Sequence, residues 1–276
     1  MSTHSVTVES IREHYDRLSF YYRILWGDHI HHGYWDKDQT PTQAQVALVE
    51  RLAQGAEIRA GSRVLDVGCG LGGSAIWLAR ELKCSVLGLT ISPAQLEMAR
   101  TRAIEEGLED RVRFQLEDAN SLRYVEMFDV VWVIECSEHL FDKAAFIRSA
   151  AAALQPGGVL ALCAWLKSDG VQSDEHRELV DRVCRGMLCP SLASKSEYCT
   201  WMANAGFRVR TADDITHAVS KTWDLCLKIP GLPVVQSLLR AADSATVEFI
   251  SSFGDIATAY SQGAMSYGMF TAIKEV

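Results

Sequence analysis

The run Asp66-Val67-Gly68-Cys69-Gly70-Leu71-Gly72-Gly73 follows a short β-branched segment and precedes a helical one. Glycines at such a strand-to-helix turn let backbone N–H groups approach a ligand closely, and Gly68, Gly70 and Gly73 satisfy the GxGxxG spacing of dinucleotide sites. A dinucleotide site also needs an acidic residue about 20 positions on, at the end of the next strand, to hold ribose hydroxyls. Here that position reads Gly88-Leu89-Thr90. The acid that is present, Asp66, stands before the glycines, where a carboxylate can face the ammonium of a bound amino acid. That arrangement suits the methionine moiety of S-adenosylmethionine. Glu117-Asp118-Ala119 closes a later strand, where a carboxylate can accept from an adenine amino group. On the glycine pattern alone, a nicotinamide-dependent oxidoreductase is the alternative from a different class, and a cofactor-binding scaffold is another.

Glu135, Glu138 and His139 follow the fourth apolar run, at the sheet edge where ligands sit in open α/β folds. Transfer of a methyl group from a sulfonium is an in-line displacement that needs alignment and exclusion of water. A base is required only when the acceptor carries a proton, and His139 or Glu138 are the candidates for it. Tyr15, Tyr21, Tyr22, Trp26, Tyr34 and Trp35 make an aromatic-rich N-terminal segment. Tyr21 and Tyr22 are the rings expected to stabilise a sulfonium or a carbocation by cation–π attraction. His29, His31 and His32 sit too close together to point at one metal ion, and the CxxH pair Cys136 and His139 has no second ligand pair nearby. No metal is expected.

These residues need elements to position them. Apolar positions at Val8, Ile11, Tyr15, Leu18, Tyr22 and Leu25 predict one amphipathic helix. Thr40-Pro41-Thr42-Gln43 opens a second that runs to about Glu57. Short buried strands are then expected at Arg63–Val67, Ser85–Leu89, Val112–Leu116, Phe128–Ile134 and Val159–Trp165, alternating with helices, which predicts a parallel sheet covered on both faces. Ser92 to Gln95 and Ser194 to Glu197 read as capping boxes, Asp142 as a cap, and Gln155-Pro156-Gly157-Gly158 as a turn. Further helices are expected near Glu175–Arg185 and Ser196–Asn204, and strands near Arg208–Ala212 and Tyr267–Lys274. The long helical stretch from Asp213 to Ser266 has the length of a functional cap.

Asp66 to Gly73, Asp118-Ala119 and Leu154-Gln155-Pro156-Gly157-Gly158 resemble the successive motifs of class I methyltransferases. More narrowly, Trp26-Gly27-Asp28-His29-Ile30-His31-His32-Gly33-Tyr34-Trp35, Thr90-Ile91-Ser92-Pro93-Ala94-Gln95 and Glu135-Cys136-Ser137-Glu138-His139 resemble the γ-tocopherol methyltransferase-like group. The resemblance implies a Rossmann-like, seven-stranded, mostly parallel α/β sheet with an antiparallel last strand. It implies a lid over residues 1–57, a catalytic domain over 58–276 and a helical substrate cap around 213–266. It also accounts for the missing acid, because in that group Thr90, Ser92 and Gln95 hold the ribose. The implied cofactor contacts are His32, Asp66, Gly68, Cys69, Gly70, Thr90, Ile91, Ser92, Gln95, Asp118, Ala119 and Glu135. The expected activity is methylation, by S-adenosylmethionine, of a small apolar specialised metabolite. The acceptor expected first is the carbon of a terpenoid, prenylated or aromatic compound, with nitrogen methylation of an indole-like alkaloid as the nearest variant.

Composition agrees with this reading. A net charge of −8 and the absence of any basic run argue against nucleic acid as the partner. No stretch approaches the about 20 apolar residues that span a bilayer, so no membrane insertion and a cytoplasmic location are expected. The eight cysteines are scattered and read as reduced, buried thiols. A homo-oligomer is compatible with the composition.

Overall fold

The structure, a computed structural model, describes residues 6–240 and 243–275. Helix α1 (Val8–Leu25) is capped by Thr7, which accepts from the Ser10 N–H while the Ser10 side chain bonds back to the cap. Helix α2 (Pro41–Gly55) begins in the Thr40–Gln43 box, with Pro41 at its first turn. The sheet and its crossovers follow: β1 (Arg63–Val67), α3 (Gly73–Leu82), β2 (Ser85–Thr90), α4 (Pro93–Glu105), β3 (Val112–Leu116), then, across only a short 3-10 turn at Ala119–Ser121, β4 (Phe128–Ile134), α5 (Lys143–Ala153) and β5 (Leu154–Lys167). Then come α6 (Asp174–Gly186), α7 (Lys195–Asn204) and β6 (Phe207–Asp214). Short helices α8 (Thr216–Val219), α9 (Lys221–Cys226) and α10 (Pro233–Leu239) and the long α11 (Ser244–Ser261) lead to β7 (Met265–Lys274).

The seven strands are ordered β3-β2-β1-β4-β5-β7-β6. β1 to β5 run parallel, while β7 pairs antiparallel with both β5 and β6. Successive residues of β4 serve opposite layers, as a two-residue period requires. Val130, Trp132 and Ile134 join the layer built with α2, α3 and α4, and Val131 and Val133 join that of α5 and α7. The turn expected at Gln155–Gly158 is a bulge inside β5, because Leu154 pairs with Phe128 and the next pair is Val159 with Val130. α11 crosses α6 so closely that a Cβ on Gly186 would lie 2.4 Å from Ser252 Cβ. The segment between β6 and β7 is helical as expected, and α1 lies across α4 near the carboxyl edge of the sheet.

Candidate active site

β1 delivers the chain into a loop in which Gly68, Gly70 and Gly72 all have positive φ, of 73°, 54° and 78°. These angles are open to glycine at little cost. Space is also short: a Cβ on Gly68 would stand 2.3 Å from Cys136 Sγ, and one on Gly73 2.6 Å from the Asp28 carbonyl. Gly68 and Gly70 form one wall of a cleft whose other walls are Thr90, Ile91 and Gln95 after β2, Asp118 and Ala119 after β3, and Ile134, Glu135 and Cys136 after β4. Val8, Ile11 and Tyr15 of α1 and Ile30 close it from above. The structure therefore brings together eight of the expected cofactor positions: Gly68, Gly70, Thr90, Ile91, Gln95, Asp118, Ala119 and Glu135.

Four others lie elsewhere. Cys69, Ser92 and Asp66 are buried beneath the cleft and not on its wall. His32 stands on the wall of a neighbouring cavity, held by Glu135. Ser92 does cap α4 by accepting from Gln95 N, but the box is incomplete. The Gln95 carbonyl accepts instead from Thr90 Oγ1 at 2.8 Å, and Thr90 Oγ1 accepts from Ser92 N at 3.1 Å. That bond occupies the Gln95 carbonyl and leaves its amide nitrogen without an acceptor among the described residues, as a donor beside the cleft. Asp118 accepts from Asn120 N and Nδ2 through a single oxygen, Oδ1. Asp66 Oδ2 has no partner among the described residues, and burial pushes its carboxyl up to about 7. These groups fit S-adenosylmethionine: a close backbone loop, an amide donor for a ribose, an acceptor for an adenine amine, and an orphaned carboxylate oxygen below the loop.

A second cavity of about 490 Å³ adjoins the cleft, and Tyr15, Ile30, Glu135 and His139 line both. Its wall is mostly apolar and aromatic, with Tyr22, Trp26, Trp165, Trp223, Phe249 and Phe253 among the rings. All four residues expected to do chemistry, His139, Glu138, Tyr21 and Tyr22, reach this cavity. Tyr21 does so from the rim, 37% exposed.

Glu135 is the hub of the wall between the two spaces. Oε1 accepts from His32 N (2.8 Å), His32 Nδ1 (3.0 Å) and Tyr267 OH (2.7 Å), and Oε2 from Trp165 Nε1 (3.0 Å). Burial alone would raise this carboxyl, but the His32 imidazole and its hydrogen bonds outweigh burial and bring it down to about 2. Glu138 has the opposite environment. Trp165 N donates to Oε1 at 2.6 Å, whereas Oε2 is buried without a partner among the described residues. Burial and the neighbouring Glu135 charge push Glu138 up to about 8. His139 Nδ1 lies 3.0 Å from the Leu188 carbonyl, which can only accept, so Nδ1 carries the proton. Nε2 then accepts from Tyr15 O–H at 2.8 Å. Burial lowers the His139 pKa, which keeps this neutral tautomer at neutral pH. Among the described residues no three His, Cys, Asp or Glu side chains converge as a metal site, and all eight cysteines are free.

Comparison with known proteins places the chain in a family. The family model described as mycolic acid cyclopropane synthetase matches residues 2–228. The chain belongs to that family. This methyltransferase is 37% identical to the 27-O-demethylrifamycin SV methyltransferase of Amycolatopsis mediterranei over 79% of its own length and 80% of the relative's. It is 26% identical to the chloroplastic tocopherol O-methyltransferase of Arabidopsis thaliana over 96% of its own length and 82% of the relative's. The cyclopropane synthase MmaA2 from Mycobacterium tuberculosis shares its fold, with a TM-score of 0.86 at 17% identity over 99% of this chain and all (100%) of that one. The protein is an S-adenosylmethionine-dependent methyltransferase of small-molecule, natural-product substrates.

Sequence reading left three of the methyltransferase's site residues unassigned. Tyr15 was visible only as one ring in the α1 stripe. Trp165 and Tyr267 were visible only as strand residues, because their partners Glu138 and Glu135 lie 27 and 132 positions away.

Proposed function

We propose that this methyltransferase methylates a hydroxyl oxygen of a neutral, apolar natural product, with His139 as base acting through Tyr15. The observation that carries the proposal is the 2.8 Å bond from Tyr15 to His139 Nε2 at the junction of the two cavities. S-adenosylmethionine supplies an electrophilic methyl group on a sulfonium. As the acceptor oxygen forms its bond to that methyl carbon, the C–S bond breaks and the hydroxyl proton must leave. Tyr15 has lone pairs for that proton while it passes its own to His139 Nε2, and the charge comes to rest on the imidazole. Glu138, protonated at neutral pH, holds a donor toward the acceptor through Oε2. Glu135, saturated by four bonds, keeps the wall rigid. The names of the rifamycin and tocopherol relatives both specify oxygen methylation.

The acceptor is neutral in this reading because Arg17 is the only Lys or Arg among the described residues lining the cavity, and Asp243 already binds it at 2.7 Å. A diphosphate would find no free cation there. Within the N-terminal residues 1–57 the lid is α1 and the loop that carries Ile30, since α2 is packed into the core layer on the sheet, and residues 213–266 act as the cap of a catalytic domain over 58–276. In support, α1 lines both cavities while α9, α10 and α11 line the larger one. Residues 1–5, 241–242 and 276 of these spans lie outside the described residues.

Carbon methylation of a prenylated or terpenoid acceptor is the second reading. It is favoured by the aromatic wall, since each desolvated ring facing a developing cation contributes about 0.5–2 kcal/mol. Single-turnover S-adenosylhomocysteine formation with hydroxylated macrolactones, phenols and alkene analogues separates the two. For oxygen methylation, His139→Ala and Tyr15→Phe each lower the rate by a factor on the order of 100. Wild-type rates in both variants, with Tyr22→Leu the slow one, would overturn the proposal in favour of the alkene.

A further inference from the structure

Helix α1 touches the cofactor machinery at one polar point that the transfer itself does not use. Asp16, next to Tyr15 in the chain, accepts a hydrogen bond from Ser92 Oγ at 2.5 Å and from Ala94 N at 3.1 Å. Ser92 is wholly buried and its hydroxyl has a single proton. With that proton committed to Asp16, the oxygen is left to accept from Gln95 N, at 3.1 Å. Ser92 N donates to Thr90 Oγ1, and Thr90 donates to Gln95 Oε1. This chain of bonds sets which end of the Gln95 amide lies against Thr90 and which lies free beside the cleft. Asp16 is its only member on α1, and Val8, Ile11 and Tyr15 of the same helix roof the cleft.

We infer that Asp16 is a positioning residue that locks α1 onto the Thr90-Ser92-Gln95 element, so that presenting the ribose donor and closing the lid are one event. Without α1 in place, Ser92 loses the acceptor for its proton and its hydroxyl is free to turn, so the cap that holds the Gln95 backbone, and with it the Thr90-Ser92-Gln95 turn beside the cleft, loses its tether. With the cofactor drawing on Gln95, the network is ordered and α1 gains its anchor. Coupling of this kind makes cofactor binding precede closure of the acceptor cavity, since α1 also supplies His14, Tyr15, Leu18 and Tyr22 to that cavity. Capping of α4 alone would explain the Ala94 bond but not the Ser92 bond, because Ser92 is itself the cap of α4. The inference rests on α1 being a lid.

The test is a double-mutant cycle of Asp16→Ala and Ser92→Ala, read by calorimetry with S-adenosylmethionine and by hydrogen exchange of α1. Asp16→Ala is expected to weaken cofactor binding about tenfold, the scale of a lost charge-assisted hydrogen bond. It should also abolish the protection of α1 that cofactor confers on the wild type. KM for the cofactor should rise more than kcat falls, and the double variant should be no worse than the weaker single one. Asp16→Asn, which keeps an oxygen at the same place, should recover most of the affinity. Asp16→Leu, which removes both oxygens while keeping side-chain bulk on α1, takes the place of the alanine variant in the cycle if that variant does not fold. Unchanged affinity in a folded Asp16→Ala protein, or losses that simply add, would overturn the inference. Equal α1 protection in the wild type with and without cofactor would refute the lid by itself, whatever the cycle shows.

Discussion

Two carboxyls three positions apart, both against Trp165, titrate in opposite directions. Glu135 is held down to about 2 by His32, despite burial, and Glu138 is pushed up to about 8 by burial and by Glu135. Environments that drive a pair apart in this way assign the charged and the neutral role. If Glu138 donates to the acceptor, kcat/KM falls as pH rises through about 8, and Glu138→Gln, a donor at every pH, removes that limb. An alkaline limb that persists unchanged in the Gln variant would take the role away from Glu138. On the acid side, the lowered His139 pKa places loss of the base below the ordinary histidine range. Stability follows the same signs. The depressed Glu135 contributes stability that is present above the ordinary carboxylate range and lost as pH falls toward about 2. Glu138, whose proton is retained in the fold, erodes stability as pH rises from the carboxylate range through about 8. Glu135→Ala leaves His32, Trp165 and Tyr267 without their acceptor and is expected to cost about 3–5 kcal/mol in urea denaturation. Asp118→Ala is expected to weaken cofactor binding by about 1–3 kcal/mol through an unpaired adenine amine, and calorimetry checks it.

The glycine loop is where an element and a ligand compete for the same space. Gly68→Ala places a Cβ against Cys136 in a left-handed backbone conformation. The expected loss is on the order of 2 kcal/mol or more in stability, together with weaker cofactor binding. Gly61→Ala, also at positive φ but in open space, should show the backbone cost without the clash. Elements of this kind were legible from sequence because their signals are local. β-branched runs marked β1, β3 and β4 at their observed bounds, and the Thr40–Gln43 and Ser194–Glu197 boxes formed as read. The Ser92–Gln95 box was half right, since a tertiary partner, Thr90, outcompeted the local one for the Gln95 side chain. Asp16, Trp165, Leu188 and Tyr267 left no such trace. Their roles depend on segments that only the folded sheet brings together, and a spacing rule has nothing to measure across such distances.

At the scale of the molecule, a net charge of −8 surrounds a cavity whose wall is apolar. Association with a neutral acceptor then owes little to long-range attraction, and its KM should barely respond to added salt. A steep salt dependence, or faster turnover of a diphosphate than of its parent alcohol, would contradict the neutral acceptor. No helix among the described residues is long and apolar enough to cross a membrane.

The place of β7 has a consequence for synthesis. The strand is the last of the seven in sequence order among the described residues, yet it is wedged between β5 and β6, with nine residue pairs to β5 alone. A nascent chain can therefore assemble the parallel half around the glycine loop while β6 still has no neighbour to join. Non-local pairing of this kind is the slow part of folding. On a ribosome stalled before Met265, protease resistance should appear from β1 to β5 and be missing from β6. The cleft for the methyl donor would then take shape on the emerging polypeptide before the seat for the acceptor, and the emergence of β7 would be the event that completes the sheet.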